Sequence, residues 1–472
     1  MGRTTQRAGG TRRGFLKTLG GAGIALQTPP LLAQQAAGTR GYNILWLMSD
    51  EHNPFVAGYA GDAFAQTPAL DDIARSGVEF TAAYSPDPIC VPARQAFHSG
   101  RMSSNLLLAP ANYEAMGPYF TRKGFQTAWF GKQHWEGLDN PFMDLGLDSG
   151  KVAKERFAAA GLPLPEESRL VEDAMLAYWS TDLNEDTVTT EQALAFLDGV
   201  KKKQRFFLGV SLTKPHFPFC IQERYYQRHA SSPIPEPVVT QAMLDNLSTA
   251  LKADRSLYGI ARLTTEQTRF CRAIYYGMVS YVDEQIGKVM KKLRQLGLRD
   301  NTIVIYMADH GEMLGQHGIW YKNAFLEGSA RVPLLISLPS AFGPRRQARI
   351  DAPASAIDLY PTLCELCALS PPATLEGRSL VPLLDGRENG GDREVFSENK
   401  RGGIPARMIR TSKYKYCYYE DGVEQLYDMR GSDRHTEAVN LAGDPAYAGT
   451  KKRLKERALD GWNPDGLNDS GD

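Results

Sequence analysis

The sequence is short of three things: cysteine, a surplus of charge of either sign, and long apolar runs. Six cysteines among 472 residues are too few and too scattered for a disulfide scaffold. Lys plus Arg and Asp plus Glu both number 54, a formal net charge of zero. That excludes a nucleic-acid binder relying on bulk positive charge. Beyond the N-terminal segment no stretch reaches the ~18 consecutive apolar residues of a spanning helix, so no stable membrane anchor is expected. What is present, 42% hydrophobic and 23% charged residues, describes an ordinary folded protein.

Acidic residues are absent from the first 49 positions; Asp50 is the first. The same region holds Arg3, Arg7, Arg12, Arg13 and Lys17, then a short Gly-rich apolar stretch and Ala-containing segments. This is the form of an export signal. Thr11–Lys17 resembles the twin-arginine signal, which directs folded proteins to the twin-arginine export machinery. Residues 1–37 are therefore read as a signal, with cleavage between Leu32 and Gly38 and a periplasmic or secreted product. Their removal takes away five basic residues and no acidic ones, leaving a mildly acidic chain.

Downstream, apolar runs end repeatedly in polar clusters. Ile44–Met48 runs into Ser49-Asp50-Glu51, Phe125–Phe130 into Gly131-Lys132, Phe206–Leu212 into Lys214-Pro215-His216, and Thr302–Met307 into Ala308-Asp309-His310. Val332–Ile336 is a further strand candidate. Helical patterns lie between these runs, at Thr67–Gly77 and at Ile274–Leu296, where apolar residues recur every three or four positions. Alternating strands and helices predict an α/β fold with a mostly parallel sheet sandwiched by helices. Ligands in such sheets sit beyond the carboxyl ends of the strands, where these clusters fall. The expected organisation is a catalytic domain over 38–380 and a small C-terminal subdomain with an antiparallel sheet over 381–472. Helical pattern returns at Thr450–Leu459, and the last dozen residues read as frayed. Cys364-x-x-Cys367 lies in an apolar helical pattern without a second Cys or His pair, which favours packing over metal or redox use.

Asp50, Glu51, Asp309 and His310 make a plausible site for one divalent ion. Carboxylates suit calcium or magnesium; the imidazole also suits manganese or zinc. Cys90-Val91-Pro92-Ala93-Arg94 places a thiol four residues before an arginine at a predicted helix start, an electropositive setting for sulfur. Pro92 suits a first helical turn.

That segment, followed by Ser99-Gly100-Arg101, resembles the signature of the type I sulfatases of the alkaline-phosphatase-like superfamily. The resemblance continues through Ser49-Asp50-Glu51, Gly131–His134, Lys214–Phe219, Asp309–Glu312, Gly315–Lys322 and Glu327–Pro333. It ends near Leu426-Tyr427-Asp428 and Asn440-Leu441-Ala442. It implies an alkaline-phosphatase-like fold and hydrolysis of an organic sulfate ester with release of inorganic sulfate. It implies that a separate maturation enzyme oxidises Cys90 to formylglycine, the nucleophile. The implied metal ligands are Asp50, Glu51, Asp309, His310 and the oxidised Cys90; calcium is expected, with magnesium or manganese as alternatives. Arg94 and Lys132 would carry positive charge at the reacting centre. His134 would serve as base, and His216 and Lys322 would assist the leaving oxygen.

Two positions depart from the family pattern. Glu51 stands where a second Asp is common, and His310 where many members have Asn. His310 also fits phosphonate monoester or phosphodiester hydrolases of the superfamily, the alternative activity. An inactive binding protein is a third reading. His52 and His98 are further candidates for pocket contact. The segments around Asn53, Phe217 and Trp320 look most like the choline-sulfatase and glycan-sulfatase branch, so the substrate would be a small-molecule or glycan sulfate ester.

Overall fold

The computed structural model describes residues 1–2 and 41–469, apart from 107–112, 136–141, 144, 161–181, 202, 258–259, 344 and 432–436. The export signal expected over 1–37 lies, but for its first two residues, outside the described residues. Thr39–Asp472 form one compact unit.

Its centre is a seven-stranded sheet. The strands are β1 (Asn43–Ser49), β2 (Val78–Phe80), β3 (Gln126–Gly131), β4 (Phe206–Leu212), β5 (Thr302–Ala308), β6 (Leu334–Ser337) and β7 (Arg349–Ile350). Their spatial order is β3-β4-β1-β5-β6-β2-β7. β1 lies between β4 and β5, parallel to both, and β3 runs parallel to β4. β6 is antiparallel to both β5 and β2, while β7 returns parallel to β2.

Every residue of β1, β4 and β5 is buried, which is why they read as continuous apolar runs. Leu45 and Leu47 face one layer of helices: α1 (Pro68–Ser76), α3 (Glu185–Gly199) and α5 (Thr265–Gln295), through Ile73, Leu197 and Ile286. Trp46 points to the other face and packs against Phe97 of α2 (Cys90–Ser99) and against Trp129, with ring centroids 5.6 and 6.2 Å apart.

Two element boundaries differ from the sequence expectation. α5 begins at Thr265, well before Ile274, because Thr264 and Gln267 form a reciprocal cap. The polar first turn hides the start from an apolar-periodicity reading. β6 starts at Leu334, after Pro333, which has no N–H to give a ladder.

The C-terminal part forms a four-stranded antiparallel sheet, β8 (Val395–Arg401), β9 (Ile404–Arg410), β10 (Tyr414–Tyr419) and β11 (Glu424–Asp428), in sequential order. One face packs Met408 and Cys417 against Tyr84, Phe325 and Ala330 of the larger part. The other is covered by α7 (Ala448–Leu459) through Leu454 and Ala458. α6 (Leu359–Leu366) carries Cys364. Burial pushes the Cys364 and Cys367 thiols up to about 12, and both side chains pack in the interior. The tail is ordered beyond the expected fraying point: Asp469 accepts hydrogen bonds from Gly402 and Gly403 N–H at 3.0 and 2.6 Å. Among the described residues no helix is long and apolar enough to cross a membrane.

Candidate active site

The parallel strands deliver the polar clusters to one edge of the sheet. Asp50 follows β1, Lys132 follows β3, His216 lies past β4, and Asp309 and His310 follow β5. Two close backbone approaches set these positions. A Cβ on Gly131, at φ +90°, would lie 2.0 Å from the Ser211 carbonyl oxygen; one on Gly311 would lie 2.0 Å from that of Gly328. Only glycine fits either place.

Cys90, the first residue of α2, brings its thiol into the cluster. Its Sγ lies 3.1 Å from His310 Nε2, 3.2 Å from Lys322 Nζ, 3.6 Å from Asp50 Oδ1 and 3.7 Å from Lys132 Nζ. Burial pushes this thiol up, but Lys132, Lys322 and His310 outweigh it and hold the pKa well below the ordinary thiol value. One turn later, Arg94 is fully buried. Its Nε donates to Asp309 Oδ2 at 2.6 Å and its Nη2 to Asp50 Oδ2 at 3.3 Å. Its Nη1 donates to the Lys132 carbonyl and to Ser211 Oγ, both at 2.9 Å. Lys132 Nζ is 2.6 Å from Asp50 Oδ2. Burial pushes the Asp50 carboxyl up, yet Lys132 and Arg94 hold it below the usual carboxylate range.

The donor atoms of Asp50, Cys90, Asp309 and His310 lie within 4.8 Å of one another, all on buried residues. His310 Nδ1 donates to the Gly311 carbonyl at 3.0 Å, which turns Nε2 towards Cys90 and Asp50. Two carboxylates, an imidazole and the side chain at position 90 fit one divalent cation. Burial lowers His310, but Asp309 and Cys90 raise it to about 9, so the same anions that suit a metal draw a proton there.

Glu51, at φ +61°, joins the site through Asp50, which belongs to both groups of donors. Its Oε2 is 3.4 Å from His216 Nε2 and 3.8 Å from Lys322 Nζ, and with Asp50 and His216 it forms a second group of donors. His216 Nδ1 donates to the Phe217 carbonyl at 2.6 Å, and its Nε2 is 2.7 Å from Lys322 Nζ. Burial and the charges of Lys132 and Lys322 lower its pKa to about 4. The imidazole is therefore neutral and accepts from the lysine. His134, at φ +51°, makes a side-chain hydrogen bond that helps to lower the Cys90 thiol.

All the expected catalytic residues thus gather around Cys90, while two histidines considered for pocket contact do not. His52 is held by the Tyr306 hydroxyl at 2.5 Å and the Val56 carbonyl at 2.9 Å. His98 is buried among the rings of Trp46, Phe97, Trp129, Trp135 and Phe142. Sequence reading assigned no role to Ser211, a partner of Arg94. It also assigned none to Glu312, whose Oε1 accepts from Leu314 and Tyr321 N–H at 2.8 and 2.6 Å and so shapes the loop carrying Lys322. Glu312 lies inside a quoted motif, but nothing local marks its partners, which are backbone groups brought by the loop.

A buried thiol ringed by cations, beside paired carboxylates at the carboxyl edge of such a sheet, defines an alkaline-phosphatase-like hydrolase. The Sulfatase family model matches residues 42–368, and the chain belongs to the sulfatase family, enzymes that hydrolyse sulfate esters. A second model, N-sulphoglucosamine sulphohydrolase, C-terminal, matches residues 315–461. The chain is 28% identical over 432 residues to an ulvan-active sulfatase of Formosa agariphila, covering 87% of this chain and 79% of the relative. It is 28% identical over 439 residues to a choline-sulfatase of Rhizobium meliloti, covering 85% and 83%. Among solved structures, the phosphonate monoester hydrolase of Agrobacterium radiobacter superposes with a TM-score of 0.73 at 25% identity, covering 89% of this chain and 95% of that one.

Proposed function

We propose that this chain is an exported sulfatase that acts on an organic sulfate ester after a separate maturation enzyme has converted Cys90 to formylglycine. The observation that carries this reading is the setting of Cys90 Sγ, with His310, Lys322 and Lys132 all within 3.7 Å. That setting would stabilise an oxygen nucleophile as it stabilises a thiolate.

The oxidised side chain, as a hydrated aldehyde, would supply the attacking hydroxyl and later release sulfate without water attacking sulfur. Asp50, Asp309, His310 and the side chain at 90 would hold a divalent ion, calcium in the first instance, whose charge polarises the sulfate oxygens. Arg94 fixes both carboxylates and keeps their metal-facing oxygens in place. Lys132 neutralises Asp50 and adds positive charge where the sulfate would sit. Lys322, hydrogen-bonded to His216, would donate the proton to the leaving oxygen, with His216 assisting. His134 is the base for the proton at position 90. Glu51 lies beside Lys322 and His216 and within 4.8 Å of an Asp50 carboxylate oxygen, so it would be a further carboxylate for the ion.

The reading is tested on native-host protein by the mass of the tryptic peptide Ser76–Arg94. Conversion of Cys90 lowers that mass by about 18 Da. Converted protein should cleave 4-nitrophenyl sulfate, and Cys90→Ala should lose turnover by on the order of 10⁴-fold. An unmodified peptide from a host that matures other such enzymes would overturn the mechanism. His310 and the phosphonate hydrolase likeness support a second activity, so an aryl phosphonate belongs in the same assay. Turnover of the phosphonate above the sulfate would reverse the assignment. Binding of a sulfate ester with no turnover by the converted protein would favour a binding role. N-terminal sequencing of exported protein should find a start between residues 33 and 38.

A further inference from the structure

The carboxylates at the end of β1 depend on a costly stretch of backbone. Glu51 has φ +61°, a left-handed conformation that is unfavourable for any residue with a Cβ. Such a residue persists only where its surroundings over-determine it. Glu51 is fully buried, so its backbone groups need partners from within the protein rather than from water.

One side chain of α5 meets this turn. Tyr275 is fully buried. Its hydroxyl donates to the Glu51 carbonyl at 2.6 Å and accepts from Asn53 N–H at 2.8 Å. A single phenol thus spans residues 51 to 53, using its donor and its acceptor together. Two more bonds fix the turn. Glu51 N–H donates to Asp309 Oδ1 at 3.2 Å, so its backbone also touches a second carboxylate of the ion site. Asn53 Nδ2 donates to the Glu312 carbonyl at 2.6 Å, and its Oδ1 accepts from Phe55 N–H at 2.8 Å. The Tyr275 ring packs against Phe219, with ring centroids 5.7 Å apart.

α5 covers one face of the central sheet, whereas Cys90 comes from α2 on the other. The Tyr275 hydroxyl is spent on backbone groups, so it acts by fixing a conformation rather than by touching an ester. Without it, the Glu51 carbonyl and the Asn53 N–H would be buried without their partner. Rotation at residue 51 towards the ordinary range of φ would then turn its amide away from Asp309 or its carboxylate away from Asp50. We propose that Tyr275 is a positioning residue for the divalent ion: its hydroxyl holds Glu51 left-handed and so keeps Asp50, Glu51 and Asp309 within reach of one cation. This rests on the sulfatase reading above. Glycine takes the left-handed conformation without a Cβ penalty, which provides a way to separate this role from plain packing.

The test titrates matured, chelator-treated full-length enzyme with calcium, magnesium and manganese by calorimetry, beside turnover of 4-nitrophenyl sulfate. Tyr275→Phe keeps the ring and removes one oxygen; circular dichroism and denaturant midpoints check its fold. For the ion that the wild type binds most tightly, this variant should raise Kd by on the order of tenfold, as loss of groups that orient metal ligands does. The same change is then made in Glu51→Gly. There it should raise Kd by less than about threefold, because the two sites act as one. A Tyr275→Phe variant with a lower denaturant midpoint and an unchanged Kd would show a packing residue and overturn the proposal. An equal rise in Kd in both backgrounds would overturn it too, since the hydroxyl would not then act through residue 51. Either result, with a wild type that binds an ion and cleaves the ester, leaves the sulfatase reading intact. A wild type that binds none of the three ions and cleaves no ester would overturn both.

Discussion

Arg94 has no contact with solvent, yet it joins both strand-end carboxylates, a carbonyl and a hydroxyl. Its removal would leave Asp50 and Asp309 as buried anions with one fewer counter-charge. Arg94→Met should lower stability by about 3–5 kcal/mol, read from denaturant midpoints, and abolish turnover. His98 makes the opposite case. Burial among aromatic rings, aided by the charge of Arg94, pushes its pKa well below the ordinary 6.5. The folded state holds the neutral ring while the unfolded state binds a proton below about pH 6.5. The contribution is therefore full above that pH and is lost as pH falls. His98→Phe should remove this loss, so its denaturant midpoint should gain on the wild type as pH drops from 7 to 5. A difference that does not change with pH would show that His98 is not a buried neutral base.

At the scale of elements, the site depends on how strands end and how two sheets are joined. β3 delivers Lys132 only because Gly131 lets its backbone lie against Ser211. Gly131→Ala must shift one or the other, and turnover should fall by at least tenfold with a smaller loss of stability. β10 places Lys415 in a fully buried position. Its Nζ donates to Glu327 Oε1 at 2.9 Å and to the Phe325 carbonyl at 2.8 Å, and it pairs with Glu437. Glu327 also accepts from the Tyr84 hydroxyl at 2.8 Å. This cluster ties the C-terminal sheet to the segment that follows Lys322. Lys415→Met would leave Glu437 without its lysine and Glu327 with only Arg331 and the Tyr84 hydroxyl, and should cost about 3 kcal/mol, seen as a lower thermal midpoint.

For the whole molecule, one edge of a seven-stranded sheet collects residues from six separated segments, and a divalent ion would bind there only in the folded state. Exhaustive chelation should lower the thermal midpoint by on the order of a few degrees, and calcium should restore it, because a ligand at a hundredfold its Kd adds about 2.7 kcal/mol. Zero response to both would count against the four-donor site.

Much of this architecture is legible in the linear order of residues. Continuous apolar runs ending in Asp50, Lys132, His216 and Asp309 mark buried parallel strands with a polar edge, because burial on both faces forbids alternation. The Cys90–Arg94 motif places a thiol and a guanidinium one helical turn apart on one face, and its resemblance to the sulfatase signature marks position 90 as the proposed nucleophile. Other features are set by distant partners. Glu51 and Asp50 are neighbours in sequence, but a left-handed residue sends one towards Lys322 and the other towards Arg94. His52 and His98 turn into packing because Tyr306, Trp129 and Trp135 arrive from elsewhere. Asp254, on α4 (Thr249–Leu257), is paired with Arg401, which comes from the C-terminal sheet, a partnership no local pattern encodes. The sequence alone determined the fold class, which follows from hydrophobic period, and its resemblance to the sulfatase signature supplied the residues proposed to react. Only the tertiary structure decided which charges pair with which at the site, since pairing depends on which segments fold against one another.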